Sequence, residues 1–136
     1  MILVDTGPLV ALFDSQDRMH GSTHDRLRAI RSPLVTTLPV LTEAFYMLTP
    51  DSQGADQLRL FIAKEAMAIH FSSDEELARM FELMEIYRDH PMDLADASVI
   101  AAAETLTTRK VFTLDRRDFD IYRIRRGHRH LAVEIV

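Results

Sequence analysis

The chain contains no cysteine among its 136 residues, which excludes disulfides, thiolate metal sites and cysteine nucleophiles together. Any metal bound here is held by oxygen or by histidine. No apolar run approaches the roughly 20 residues that span a bilayer. The opening Met1-Ile2-Leu3-Val4 reaches Asp5 without a basic n-region or a cleavage site. A soluble, unprocessed, cytoplasmic chain with no membrane partner is therefore expected. There is also no internal repeat, linker or low-complexity segment. With 47% hydrophobic and 27% charged residues, the composition suits one domain with an ordinary core, covering residues 1–136.

The net charge is −5, which by itself opposes a polyanionic ligand. Its distribution does not. Residues 1–107 carry 8 basic and 17 acidic side chains, whereas residues 108–136 carry 8 basic and 4 acidic ones. A basic run is commonly no more than a solvated rim, and this one becomes informative only beside a catalytic site.

Residues 2–4 form a continuous apolar run that meets Thr6-Gly7-Pro8, and they read as a strand followed by a helix to about Phe13. Residues 20–31 read as a surface helix and residues 34–38 as a β-branched strand. Pro39 opens a helix so apolar, through Val40, Leu41, Ala44, Phe45, Met47 and Leu48, that burial nearly all round is expected. Residues 53–66 suit a helix and 67–71 a strand. Ser73-Asp74-Glu75-Glu76 starts a helix that ends before Pro91. An alanine-rich helix then covers 93–106, a strand covers 111–114, and residues 131–136 form a final apolar strand. Alternating strands and helices imply an α/β fold, a three-layer α/β/α sandwich around a mainly parallel sheet, because parallel strands need helical crossovers. Ligands of such sheets bind beyond the carboxyl ends of the strands.

That rule directs attention to the acids. Asp5 follows the first strand and Asp115 a later one, so both face one edge of the sheet. Glu43 shares an apolar stripe with Val40 and Met47, points inward and needs a partner there. Asp93 and Asp96 open the alanine-rich helix, where the dipole favours negative charge; Asp93 is the better cap, which leaves Asp96 as the better ligand. Asp118 lies one turn beyond Asp115. Each residue has a plainer role open to it. Asp5 could cap the first helix, although Thr6 competes for that place. Glu43 could extend to solvent, and Asp115-Arg116-Arg117-Asp118 could be a turn with local ion pairs.

Together the acids constrain one another. Two carboxylates about 5 Å apart repel by roughly 3 kcal/mol at an effective dielectric near 20, and four of them make six such pairs. They must protonate or bind cations. Oxygen-only ligation selects Mg²⁺ or Mn²⁺ over Zn²⁺. The chemistry that follows is metal-assisted hydrolysis of a phosphodiester by activated water, with no side-chain nucleophile. Thr6 and Thr113, beside the first and last acids, could orient water or phosphate. Arg116 and Arg117 could hold the flanking phosphates, so a net-acidic chain can accommodate a polyanion.

Four segments, Ile2-Leu3-Val4-Asp5-Thr6-Gly7-Pro8-Leu9, Leu41-Thr42-Glu43-Ala44, Asp93-Leu94-Ala95-Asp96-Ala97-Ser98 and Phe112-Thr113-Leu114-Asp115-Arg116-Arg117-Asp118-Phe119, resemble in order the PIN-domain ribonucleases. The likeness is greatest to the VapC-type toxins of bacterial and archaeal toxin-antitoxin modules. The resemblance implies a PIN-like fold and an acidic quartet of Asp5, Glu43, Asp96 and Asp115 that coordinates Mg²⁺ or Mn²⁺. Asp93 and Asp118 are near neighbours, each within one turn of a quartet member and an alternative to it. It further implies endoribonuclease activity on a structured RNA such as tRNA, a homodimer, and a cognate antitoxin. The antitoxin is expected to pack on the helix around 41–48, the helix from Gln53 and the surface of Phe13, and to supply any DNA binding itself. Phe13, Leu60 and Phe61 otherwise read as core residues.

Other readings are weaker. An aspartate-nucleophile phosphatase needs a second acid two residues after Asp5, where Gly7 stands. A receiver domain needs an acidic pair after the first strand, which is missing, and a lysine after the last strands, where Lys64 and Lys110 are the only lysines. A non-catalytic PIN-like module binding RNA or protein is marked by a missing acid, and none is missing. His20, His24, His70, His90, His128 and His130 read as surface or packing residues.

Overall fold

The computed structural model describes residues 1–136. In chain order the elements are β1 (Ile2–Val4), α1 (Thr6–Phe13), α2 (His20–Ala29), β2 (Leu34–Thr37), α3 (Leu38–Leu48), α4 (Gln53–Ala63), β3 (Ala68–His70), α5 (Asp74–Ile86), α6 (Leu94–Leu106), β4 (Lys110–Phe112), α7 (Arg116–Phe119), β5 (Arg123–Arg126), β6 (Arg129–Ala132) and β7 (Glu134–Ile135). Five strands pair in parallel in the order β3-β2-β1-β4-β7, flanked by helices, so the expected three-layer α/β arrangement is the observed one. Ile2, Leu3 and Val4 are buried because β1 is the central strand and has neighbours on both edges and both faces. No helix is long and apolar enough to cross a membrane.

The topology itself makes a crevice. From β1 the chain steps outward to β2 and β3 and then returns through α5 and α6 to β4 on the other side of β1. The connections after β1 and β4 therefore diverge, which opens a gap at the carboxyl ends of these two strands.

α6 fills the space behind that gap. Ala95, Ala97, Ser98, Val99, Ile100, Ala101, Ala102 and Ala103 are all buried, since small side chains let the helix lie close to β1, β2, α3, α5 and β5. The buried hydroxyls beneath it are paired: Ser98 Oγ of α6 lies 2.6 Å from Thr37 Oγ1 of β2, and Thr36 Oγ1 of β2 donates to the Val4 carbonyl of β1 at 2.8 Å. A second close approach holds α4 against the end of α1. A Cβ on Gly54 would stand 2.3 Å from the Phe13 carbonyl oxygen, so only glycine fits there.

Two expectations need correction. α3 is not buried nearly all round, because Leu38, Tyr46 and Met47 face solvent while Val40, Leu41, Ala44 and Leu48 face the core. The stretch 131–136 is not one strand. Its first residues belong to β6, which pairs antiparallel with β5 across a turn at Gly127 (φ 61°), and only Glu134–Ile135 joins the parallel sheet. Half of the tail's basic side chains thus lie on a hairpin anchored by the buried Ile124, with Arg123, Arg125, Arg126 and Arg129 exposed.

Candidate metal-dependent active site

The crevice between β1 and β4 is a cleft of about 520 Å³ lined by Asp5, Glu43, Asp93, Asp96, Asp115 and Asp118, together with Thr6, Gly7, Met47, Pro91 and Leu114. Every acid singled out in the sequence reaches it, and no basic side chain does. Glu43 is half-buried on α3 and borders the cleft, consistent with its inward direction.

Asp5 is buried and spends no hydrogen bond on capping α1, which removes the plainer reading of that residue. Its Oδ2 accepts from Thr113 Oγ1 at 2.8 Å, and the same Thr113 oxygen accepts the Asp115 N–H at 3.0 Å. One buried threonine just past β4 therefore ties the two strand-end acids together. Thr113 is held in turn by Arg26 of α2, which stacks over the Phe112 ring at 4.9 Å and donates to the carbonyls of Thr113 and Val136. Burial pushes the Asp5 carboxyl up to about 6, against the Thr113 hydroxyl and the Thr6 backbone N–H and with the help of Glu43 and Asp115.

At the start of α6 the two aspartates divide their work. Asp93 Oδ1 accepts the Asp96 N–H at 2.8 Å and caps the helix, as its position suggests. Asp96 is left facing the other acids, and burial followed by the charges of Asp93 and Asp5 pushes it up to about 8. Asp96 Oδ2 accepts from Tyr122 Oη at 3.1 Å.

The remaining pair lies on the β4–α7 connection. Asp115 caps α7 by accepting the Asp118 N–H at 3.1 Å, and burial and the Asp118 carboxyl raise it above the usual range. Asp118 is held below that range by Asp115 and by His90, whose Nε2 stands 2.6 Å from Asp118 Oδ1. Arg116 and Arg117 on α7 are exposed beside these acids. His90 is thus more than the surface or packing residue expected from the sequence, and Tyr122 and Arg26 join the site with no motif to announce them. His90 pairs with Asp118 across 28 positions, Tyr122 with Asp96 across 26 and Arg26 with Thr113 across 87, pairings that no local motif carries.

Oxygen is the only strong donor type in the cleft. It includes Thr6 Oγ1, a buried hydroxyl without any hydrogen-bond partner. The acids share the cleft without closing into a cage, and no three His, Asp or Glu groups anywhere already stand at coordinating spacing. This donor set of carboxylates and a hydroxyl, with no basic side chain among them, fits a hard divalent ion such as Mg²⁺ or Mn²⁺.

A family profile for the PIN domain matches residues 2–126. Ribonuclease VapC26 of Mycobacterium tuberculosis is 25% identical over 134 residues, covering 97% of this chain and 99% of that protein. The fold is similar to the crystal structure of Mycobacterium tuberculosis VapC20, a toxin that cleaves the sarcin-ricin loop, with a TM-score of 0.79 and 16% identity over 87% of this chain and 92% of that one. It is also similar to a chain of a toxin-antitoxin complex from Klebsiella pneumoniae, with a TM-score of 0.68 and 20% identity over 88% and 90% of the two chains. The chain belongs to the PIN domain family, and its likenesses lie among the family's VapC-type members.

Proposed function

We propose that this chain is a divalent-metal-dependent endoribonuclease and the toxin of a toxin-antitoxin pair, acting on a structured RNA such as tRNA in the cytoplasm. The observation that carries the reading is the meeting of Asp5, Glu43, Asp96 and Asp115, from four separate segments, in one cleft that holds no basic side chain. These four would hold Mg²⁺ or Mn²⁺, which supplies activation of water and neutralisation of charge on the phosphate.

The chain's own residues set up the rest. Thr113 fixes Asp5 relative to Asp115, and the unpartnered Thr6 hydroxyl is free to bond a water or a phosphate oxygen at the cleft floor. Arg116 and Arg117, exposed at the rim, bind phosphates on either side of the reacting one. His90 keeps Asp118 engaged, so Asp115 is the better placed of that pair to serve as a ligand.

A groove of about 510 Å³ runs between the ends of α1 and α3 and the start of α4, lined by Leu12, Phe13, His20, Met47, Leu48 and Gln57 among others. Met47 borders both this groove and the acidic cleft, so a segment of a cognate antitoxin lying in the groove would be led to the acids. A homodimer belongs to the same reading.

The test is RNA cleavage by the purified chain. Cleavage is expected with Mg²⁺ or Mn²⁺, stops with chelator, and is lost in Asp5→Asn while the circular dichroism spectrum is unchanged. Turnover that survives this substitution contradicts the assignment. RNA affinity without turnover would point instead to a non-catalytic binding module.

A further inference from the structure

Tyr122 lies where the acidic cleft meets the basic hairpin, and we infer that its hydroxyl is a positioning group that orients Asp96 for the cation. This rests on the nuclease reading above and concerns the same site.

Asp93 and Asp96 begin the same helix, but Asp93 is committed to its cap. The Asp96 carboxylate accepts one hydrogen bond from a protein side chain, at Oδ2 from Tyr122 Oη. The terminal torsion of an aspartate is broad, so a carboxylate at a cleft edge has no fixed plane of its own. A single bond from an immobile donor supplies that plane and assigns the oxygens, with Oδ2 toward the phenol and Oδ1 left for the cation.

The donor here is immobile. The Tyr122 side chain is fully buried and packs edge-to-face on Tyr87 at 5.1 Å, Phe119 at 5.2 Å and His90 at 6.3 Å. Tyr87 also accepts the Arg123 N–H at 2.8 Å, which pins the backbone one residue on. Phenylalanine would satisfy this aromatic packing equally well. The oxygen answers only to Asp96, in the way that outer partners orient metal ligands.

Tyr122→Phe keeps the ring and removes that oxygen. Mn²⁺ titration of the chain without RNA is expected to show Kd weakened about tenfold, and kcat lowered by a similar factor, with the KM for RNA unchanged. In an Asp96→Asn background the same change should move the Mn²⁺ Kd by less than about twofold, because the hydroxyl acts through Asp96. Wild-type Mn²⁺ affinity in Tyr122→Phe overturns the inference and leaves the nuclease reading intact. An equal loss in both backgrounds also overturns it, since the hydroxyl would then support the fold in general. A wild-type chain that binds no Mn²⁺ overturns both.

Discussion

α6 carries an acid near each end, and the two live in opposite surroundings. Glu104 receives Arg79 in a two-pronged contact, Nε at 2.8 Å and Nη2 at 3.0 Å, and the Arg125 N–H at 2.8 Å. Both members of that ion pair have side chains only 11% exposed. Asp96, less than three turns away, has a phenol for a partner and Asp5 and Asp93 for neighbours. A buried charge with its counter-charge in place joins elements together, and here it moors α5 and the hairpin to α6. A half-buried carboxyl without one keeps its proton until a cation arrives, which is the mark of a site.

That contrast can be broken first at its functional end. In Asp96→Asn, RNA cleavage is expected to fall about 10³-fold, equivalent to about 4 kcal/mol of transition-state stabilisation, in single-turnover kinetics. The Arg79–Glu104 pair is untouched by this change, so the urea midpoint is not lowered. The reverse experiment is Arg79→Ala, which strands Glu104. Unfolding in urea should show a loss of about 3 kcal/mol, while cleavage per folded molecule stays within about twofold of the parent. A parallel loss of activity would show that the two ends of α6 act as one unit.

The smallest effect is on pH dependence. Asp5 and Asp96 hold their protons more tightly in the folded chain, to about 6 and about 8, than an unfolded aspartate does. The unfolded state therefore ionises first as pH rises, and folding loses stability through that window. Asp118, held down in the folded state, contributes fully above its ordinary value, and Arg79, raised by Glu104, stays charged throughout. The cation-free protein should thus melt higher at pH 5 than at pH 8, and Mg²⁺ should stabilise it more at pH 8. A flat profile would mean that the cleft acids already have counter-charges.

The parallel sheet, the strand-end acids and the cap at Asp93 were all legible from the sequence, because each depends on local pattern: apolar runs, strand-to-acid junctions, an aspartate three residues before another. The α6 contrast was not. Nothing in the neighbourhood of Glu104 points to Arg79, 25 residues earlier, and nothing near Asp96 points to Tyr122, 26 residues later. Composition also misled where it ignored periodicity. α3 has enough apolar residues to look buried all round, yet Tyr46 and Met47 lie outward of the stripe that contains Leu41, Ala44 and Leu48. The run 131–136 looked continuous because side-chain polarity does not reveal where a strand leaves one sheet for another.

The most direct test of the shared cleft is anomalous scattering from a crystal soaked in Mn²⁺. The expected result is a peak bounded by Asp5, Glu43, Asp96 and Asp115 that disappears in Asp5→Asn. A map with no peak there at millimolar Mn²⁺, or with manganese only at Asp118 and His90, would contradict the account.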